Sequence, residues 1–130
     1  MADSIFTKII KGEIPCHKVY EDDKTFAFLD IHPKTEGHVL VVPKKQIDQV
    51  WDLPDSDYQA LMQAVKKIGL RIREALRPQR VGVQIIGVDV PHVHVHVFPC
   101  DSLQEYRNIP DMSAEPDHQN LAEIAKKLRF

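Results

Sequence analysis

This sequence of 130 residues has few cysteines and no long apolar runs. Its two cysteines, Cys16 and Cys100, form no CxxC pair, so a thiolate metal cluster is not indicated. No segment approaches the roughly 20 consecutive apolar residues that a membrane-spanning helix needs. The first residues, MADSIFTKII, contain no apolar run followed by a small-residue cleavage site. We therefore expect a cytoplasmic protein with two reduced thiols.

An excess of one charge is also absent from this chain. The formal net charge is −2, from 17 basic and 19 acidic side chains that are spread along the sequence. This balance argues against a broad nucleic-acid surface or a membrane-binding patch. The length is enough for one domain with its own core and too short for two ordinary ones. We expect a single domain over residues 1–130 that binds neither nucleic acid nor membrane.

Three segments show the helical spacing of apolar residues. The first covers residues 4–11. The second and longest covers residues 55–77, with Asp55 and Ser56 as candidate N-caps. The third is expected to begin near Asp117. The apolar stripe of the long helix is wide for so small a domain, so it either covers the core alone or also packs against a second subunit.

Five short segments rich in β-branched and aromatic residues indicate strands. They are residues 18–20, 25–29, 39–42, 81–86 and 93–98. The first two are separated by a polar turn and predict a hairpin, and no regular βαβ alternation follows. We therefore predict an α+β fold with a mainly antiparallel five-stranded sheet, a long central helix and short flanking helices.

The most informative stretch is HVHVHVF, residues 92–98. Side chains alternate faces along a strand, so the three histidines share one face and the valines supply a buried face. A metal site, a structural strand with satisfied histidines, and nucleophilic chemistry on a phosphoryl group all compete as explanations. A single strand holds residues i and i+4 about 13 Å apart, so only adjacent histidines of the three could share one ion. Neutral imidazole attacks phosphorus, and neighbouring imidazoles can bind oxygens or move protons.

The pattern His-x-His-x-His-x-x, with apolar x, resembles the motif of the histidine-triad family of nucleotide hydrolases and transferases. SIFTKIIKGEIP, FAFLDIHPKTEGHVLVVPKK and HVHVHVF resemble the Hint branch of that family in order and spacing. The resemblance implies a hydrolase of nucleoside phosphoramidates such as AMP-lysine or AMP-amide. It also implies a homodimer whose two sheets join, with helix 55–77 at the interface, and chemistry that needs no metal cofactor.

The resemblance assigns roles to four histidines. His94 is the expected nucleophile, which forms a covalent nucleotidyl-histidine that water then hydrolyses. His96 is expected to contact the phosphate oxygens or the leaving group, His92 to orient the site, and His38 to lie beside the triad. Because only neutral imidazole attacks, activity is expected to fall at acid pH.

The resemblance also implies a site for a purine nucleotide. Asp30 matches the position that holds the ribose hydroxyls, and a carboxylate can accept both hydroxyl protons. Gln84 matches an amide that contacts phosphate. The expected apolar base pocket consists of Ile5, Phe6, Ile9, Phe28 and Ile31.

Some positions depart from the family pattern. Relatives with a structural zinc use an N-terminal CxxC, where this chain has Ser4 and Thr7, and a histidine where it has Gln46, so we predict no metal. Asp89 stands near the expected leaving group, which implies that it points away or that the leaving group is cationic. We interpret Trp51 as a packing residue. Residues 104–130 diverge from the usual tail.

Two other functions remain open from the sequence. HVHVHVFP and Gln84 also resemble the fragile-histidine-triad branch, which would make the protein a dinucleoside polyphosphate hydrolase. The departures around Asp89 and the divergent tail would instead suit a nucleotide-binding protein with little turnover. That protein would bind AMP without forming nucleotidyl-His94.

Overall fold

The computed structural model describes residues 2–130 and contains one five-stranded antiparallel sheet. The strands are β1 (Lys18–Glu21), β2 (Thr25–Leu29), β3 (Val39–Pro43), β4 (Arg80–Ile85) and β5 (Val95–Cys100), in the spatial order β1-β2-β3-β5-β4. The helices are α1 (Ile5–Ile10), α2 (Asp55–Leu76), α3 (Leu103–Tyr106) and α4 (His118–Leu128), with a 3₁₀ turn at Val50–Asp52. The predicted α+β class and the five predicted strands are confirmed.

The ends of the helices follow local hydrogen bonding. The Ser4 side chain accepts from Thr7 N at the start of α1, and Asp117 accepts from Asn120 N at the start of α4. The predicted caps of the long helix are wrong, because Pro54 occupies the N-cap and makes no side-chain capping bond. A proline is compatible with that position because its missing N–H would have no helical partner there.

The two faces of the sheet carry different cores. Because side chains alternate along a strand, each strand contributes to both faces. Ala27, Leu29, Val39 and Val41 join the larger core, which includes buried residues of α2 and α4. A smaller core on the other face contains residues of α1 and the intervening residues of β2 and β3. These strand residues are Phe26, Phe28, Leu40 and Val42. The smaller core is the one beside the histidines.

Strand β5 begins at Val95, two residues later than predicted. The reason lies in the hydrogen bonds of the preceding residues: His92 N donates to Val90 O, and Val93 N donates to Ile47 O in a loop instead of a strand partner. Val93 is nevertheless buried in the larger core with the valines of β5. The predicted alternation of valines and histidines therefore holds, although only His96 of the triad lies within the strand.

Strand β4 forms one edge of the sheet and leaves apolar side chains uncovered. Val83 is 51% exposed and Ile85 is 38% exposed. On the neighbouring helix α2, Tyr58 and Leu70 are also exposed. Unpaired sheet edges of this kind are places where another chain can add a strand.

The remaining expectations concern thiols and membranes. Cys16 and Cys100 are both free and half-buried. None of the helices within residues 2–130 combines the length and apolar character needed to cross a bilayer.

Candidate active site

The four predicted catalytic histidines come together on the face of the sheet that carries the smaller core. His38 lies next to the first residue of β3, and His96 lies in β5, which pairs with β3. The ring centroids of His38 and His96 are 5.1 Å apart, and those of His94 and His96 are 5.2 Å apart. His92 lies further from this pair, against α1. The antiparallel pairing of β3 with β5 is thus what assembles the site from residues about 60 positions apart.

The ring of His94 is held by its own backbone. His94 Nδ1 lies 2.8 Å from the carbonyl oxygen of His92. Because a carbonyl oxygen only accepts, Nδ1 carries the proton, and the lone pair of the neutral ring is on Nε2. His94 is 1% exposed, so the ring has little freedom to rotate away. His94 therefore presents one unprotonated nitrogen in a fixed direction, which is the requirement for an imidazole nucleophile.

His92 is fixed from both sides of its ring. His92 Nε2 donates to the carbonyl oxygen of Pro43 over 2.8 Å, so Nδ1 must accept. The donor to Nδ1 is the hydroxyl of Ser4, at 2.7 Å. His92 is fully buried, so both of its nitrogens need these partners. These bonds hold the residue whose backbone carbonyl oxygen contacts the His94 ring, and the orienting role of His92 stays a prediction.

The N-terminus of α1 and the loop after β3 complete a polar cluster around His92. Thr7 Oγ1 donates to Gln46 Oε1 over 2.7 Å, and the same oxygen accepts from Ser4 N over 2.7 Å. Gln46 Nε2 donates to Ala2 O. These are the positions where zinc-binding relatives are expected to have thiolates and a histidine. Here the cluster offers one nitrogen with hydroxyl and amide oxygens, a set poorly suited to zinc, and hydrogen bonds join its members directly.

A chain of hydrogen bonds also defines the protonation of His38 and His96. The backbone N–H of Lys34 donates to His38 Nδ1 over 2.9 Å, so the proton of neutral His38 is on Nε2. His38 Nε2 lies 2.9 Å from His96 Nδ1 and donates to it. His96 is then left with its proton on Nε2. It can donate a hydrogen bond beside the ring of His94, whose centroid is 5.2 Å from that of His96.

Burial keeps these rings neutral. Burial, together with the smaller effects of His96 and Lys34, lowers the pKa of His38 to about 3. Burial likewise lowers the pKa of His92 and of His96. The hydrogen-bond directions derived above require neutral rings, and a lowered pKa preserves them to a more acidic pH.

Asp30 lies at the end of β2, near the paired rings of His38 and His96. Its Oδ1 accepts from His32 N over 2.9 Å, and its Oδ2 is 3.8 Å from His38 Nε2. Burial raises the pKa of Asp30, and the His32 amide opposes this effect. The Asp30 side chain is 20% exposed at the rim of the site, where hydroxyl groups of a ligand could donate to its oxygens.

Asp89 approaches the expected nucleophile directly. Its Oδ1 is 3.3 Å from His94 Nε2, while its side chain is 75% exposed. The possibility that Asp89 points away from the site is therefore wrong. Gly87, in the same loop, has a φ of +77°, and a Cβ placed there would lie 3.9 Å from the His94 ring. The loop thus turns closely around His94 and brings a carboxylate to the entrance.

The predicted apolar base pocket divides into two groups. Phe6, Ile9 and Phe28 are buried in the smaller core, and the Phe6 ring lies 4.9 Å from that of His94. Ile5 and Ile31 are exposed and lie outside that core. The buried three form a rigid apolar wall beside the histidines, and the exposed two are free to contact a ligand.

Two further residues flank the site. Gln84 lies directly opposite His96 in the pairing of β4 with β5. Trp51 is 86% exposed, so its interpretation as a packing residue is wrong. It lines a cavity of about 660 Å³ that also reaches Ile86, Val88 and His94. This cavity opens beside the histidines next to exposed β4 side chains.

One group of side chains within residues 2–130 has donor atoms close enough for a metal ion. These are Asp30, His38 and His96, whose ligand atoms lie within 4.8 Å of one another. However, one proton already joins the two imidazole nitrogens of this group. A metal would have to displace that proton and break the chain of hydrogen bonds from Lys34.

Comparisons with known proteins found similar sequences and similar structures. The HIT domain family model matches residues 11–103. The chain is similar to Protein hit of Bacillus subtilis, with 41% identity over 102 residues that cover 73% of this chain and 69% of that protein. It is 33% identical over 137 residues to the adenosine 5'-monophosphoramidase HNT1 of Candida albicans, covering 98% of this chain and 90% of that protein. A Hit-like protein of Bartonella henselae has a similar structure, with a TM-score of 0.82, 32% identity and coverage of 98% and 95% of the two chains.

Sequence reasoning did not assign a role to Ser4 or to the Lys34 amide. Ser4 was considered only as a replaced metal ligand, although its position before α1 is typical of a cap. Its contact with His92 joins residues 88 positions apart, and no local signal reveals it. The Lys34 amide contributes no side chain, so no residue type in the sequence marks it.

We predict that Ser4→Ala destabilises the protein more than the loss of a helix cap alone. The substitution removes the cap of α1 and also leaves the buried Nδ1 of His92 without its closest donor. A buried unsatisfied acceptor costs about 1–3 kcal/mol. The control is Ser102→Ala, which removes a cap of the same kind from exposed α3. Urea unfolding should show the larger loss for Ser4→Ala, and equal losses would contradict the role of Ser4 at His92.

Proposed function

Because the chain belongs to the HIT family, we propose that it hydrolyses nucleoside phosphoramidates at the α-phosphorus through a covalent nucleotidyl-His94 intermediate. The proposed substrates are of the AMP-lysine or AMP-amide type, and water is the second substrate. The adenosine 5'-monophosphoramidase activity named for a relative that covers nearly the whole chain supports this class of reaction.

The observation that carries the proposal is the bond between His94 Nδ1 and the His92 carbonyl oxygen. This bond puts the lone pair on Nε2, which lies at the entrance beside Asp89. In the first step, Nε2 forms a bond to phosphorus while the P–N bond breaks, and the departing amine takes up a proton from water. In the second step, water attacks phosphorus, the His94–P bond breaks, and AMP and a proton are released.

The neighbouring groups suit the remaining parts of the substrate. His96 would donate from Nε2 to a phosphate oxygen, where charge develops in the transition state. Asp30 would accept from the ribose hydroxyls at the rim. Ile5 and Ile31, which are exposed beside the buried wall of Phe6, Ile9 and Phe28, would contact the base. Gln84, opposite His96, would donate its amide to phosphate.

Asp89 favours phosphoramidates over dinucleoside polyphosphates. Its carboxylate lies 3.3 Å from His94 Nε2 at the entrance, so an anionic substrate must approach a negative charge when it enters the site. Two like charges 4 Å apart repel by about 1 kcal/mol in water and about 4 kcal/mol at an effective dielectric of 20. The smaller figure applies better here because Asp89 is largely exposed. A dinucleoside polyphosphate carries more negative charge past this carboxylate than a phosphoramidate does, so it bears the larger repulsion.

We also propose that the protein works as a homodimer. The edge strand β4 exposes Val83 and Ile85, and the adjacent helix α2 exposes Tyr58 and Leu70. Pairing of two β4 edges would join the two sheets and cover the apolar side chains of both elements at once. The wide stripe of α2 would then serve both the core and the interface.

The first prediction of the proposed function tests covalent catalysis. Intact-protein mass spectrometry after brief mixing with an AMP phosphoramidate should show an AMP adduct on the wild type and on His118→Ala, an exposed control. His94→Ala should show none, because no lone pair remains to attack. AMP release is measured in the same samples, since rapid turnover can hide an adduct. If the wild type binds AMP but yields neither adduct nor release, the protein is a nucleotide-binding protein and the proposal is wrong.

The second prediction concerns substrate preference. Asp89→Asn should raise the ratio of kcat/KM for diadenosine polyphosphate to kcat/KM for AMP phosphoramidate by about fivefold to tenfold, as expected for about 1 kcal/mol of repulsion removed. Asp23→Asn removes the same charge from the exposed turn between β1 and β2 and should leave the ratio unchanged. A wild type that prefers the polyphosphate would instead favour the other hydrolase class.

The third prediction tests assembly. Light scattering at micromolar concentration should give the mass of a dimer for the wild type. Val83→Lys places a charge on the β4 edge and should give a monomer. Leu103→Lys, at an exposed apolar position on α3, should remain a dimer. A monomeric wild type would contradict the proposed interface.

A further inference from the structure

The divergent C-terminal segment holds the loop that precedes His38. Lys34 Nζ donates to the carbonyl oxygens of Tyr106 and Asn108, at 2.6 and 3.0 Å. In return, Asn108 Nδ2 donates to Lys34 O over 3.1 Å. Tyr106 is the last residue of α3, where helix carbonyls lack partners and attract a cation. Residues at the C-terminal end of α3 thus bind one particular side chain of the loop before β3.

Aromatic rings and neighbouring contacts restrict the same loop further. The Lys34 ammonium lies 5.7 Å from the centre of the Phe98 ring and 5.4 Å from that of Tyr106. Both distances are within the range of a cation–π interaction, so both rings stabilise the ammonium group in this position. Asn120 Nδ2 also donates to Glu36 Oε1 over 2.8 Å. His32 Nε2 also lies 3.1 Å from Ala114 O, so the loop is attached to the C-terminal segment at three points along its length.

The held loop supplies the amide that sets the direction of the His38–His96 pair. Two neutral imidazoles that share one hydrogen bond have two arrangements. With the Lys34 N–H donating to His38 Nδ1, the proton of His38 is on Nε2 and His96 carries its proton on Nε2. In the reverse arrangement His38 would carry its proton on Nδ1, and His96 would turn a lone pair toward the phosphate oxygens. Asp30 Oδ2, 3.8 Å from His38 Nε2, favours the first arrangement as well.

We propose that Lys34 is a positioning residue, through which the C-terminal segment fixes the protonated nitrogen of His96. The ammonium of Lys34 holds the loop against Tyr106 and Asn108, and its amide then donates to His38. The role deepens the proposed function, because His96 matters to catalysis only if it donates to phosphate. The C-terminal segment would thus support the site from within the same chain.

The test is ¹⁵N NMR of the histidine rings, combined with steady-state kinetics. In the wild type, His96 should show a protonated Nε2 and an unprotonated Nδ1. Lys34→Met keeps the aliphatic stem but removes both ammonium bonds, so the two forms of His96 should become mixed and kcat should fall about tenfold with little change in KM. Asn108→Ala, at an exposed position, should shift the same signals in the same direction to a smaller extent. Lys34→Arg retains the cation and should preserve most of the wild-type pattern.

The control is Lys67→Met, because Lys67 likewise stacks on an aromatic ring, that of Tyr20, but lies on α2 away from His38. It should leave the His96 signals and kcat unchanged. Because Lys34→Met and Asn108→Ala remove different hydrogen bonds that hold the same loop, the double variant should lose less activity than the product of the single losses. Unchanged His96 signals in Lys34→Met, with only a lower Tm, would overturn the proposal. Because the NMR signals need no substrate, this failure is distinguishable from an absence of phosphoramidase activity.

Discussion

The hydrogen bond from His94 Nδ1 to the carbonyl oxygen of His92 is the contact on which the site depends. It decides which nitrogen of a neutral ring has the lone pair, and the side chain of His92 then holds the carbonyl in place through Pro43 and Ser4. Each hydrogen bond in this path has a fixed donor and a fixed acceptor. The position of the lone pair on His94 is thus set by backbone and side-chain geometry, without a metal ligand or a charged partner for the Nδ1 proton.

The two faces of the sheet have different roles in the domain. The larger core between the sheet and helices α2 and α4 contains the alternating valines that precede and form β5. This core holds the backbone of the triad rigid, so the histidines on the opposite face need not contribute to apolar packing. The smaller core around Phe6 and Phe28 provides an apolar surface beside them. Stability and chemistry therefore use alternate residues of the same segment.

The electrostatics of the site follow from burial. Four rings close together would repel one another if they were protonated, and burial lowers the pKa of His38, His92 and His96. Neutral rings can then be joined by directed hydrogen bonds. Asp89 is the exception, since it is exposed and lies beside Nε2 of His94, the proposed nucleophile. It gives the entrance a negative charge, which opposes polyanionic substrates.

The sequence by itself determined the fold class, the five strands and the family, and it named the residues of the candidate site. The 3.6-residue period of α2 and α4 and the alternation in HVHVHVF reflect local rules of side-chain direction, so those elements and the valine face were predictable. Three matching blocks in the chain also indicated the family. Local patterns could not show where β5 begins, because Val93 pairs with Ile47 in a distant loop.

Only the tertiary structure decided which atoms meet. Ser4 and His92 are 88 residues apart, and Lys34 and Asn108 are 74 residues apart. The position of Asp89 against His94 and the exposure of Trp51 likewise depend on how loops cross the finished sheet. A hydrogen bond needs its atoms within a few tenths of an ångström, and this placement is the sum of all packing in the domain. The residue types for the chemistry can therefore be identified from the sequence. The fold decides which nitrogen of each histidine carries the proton.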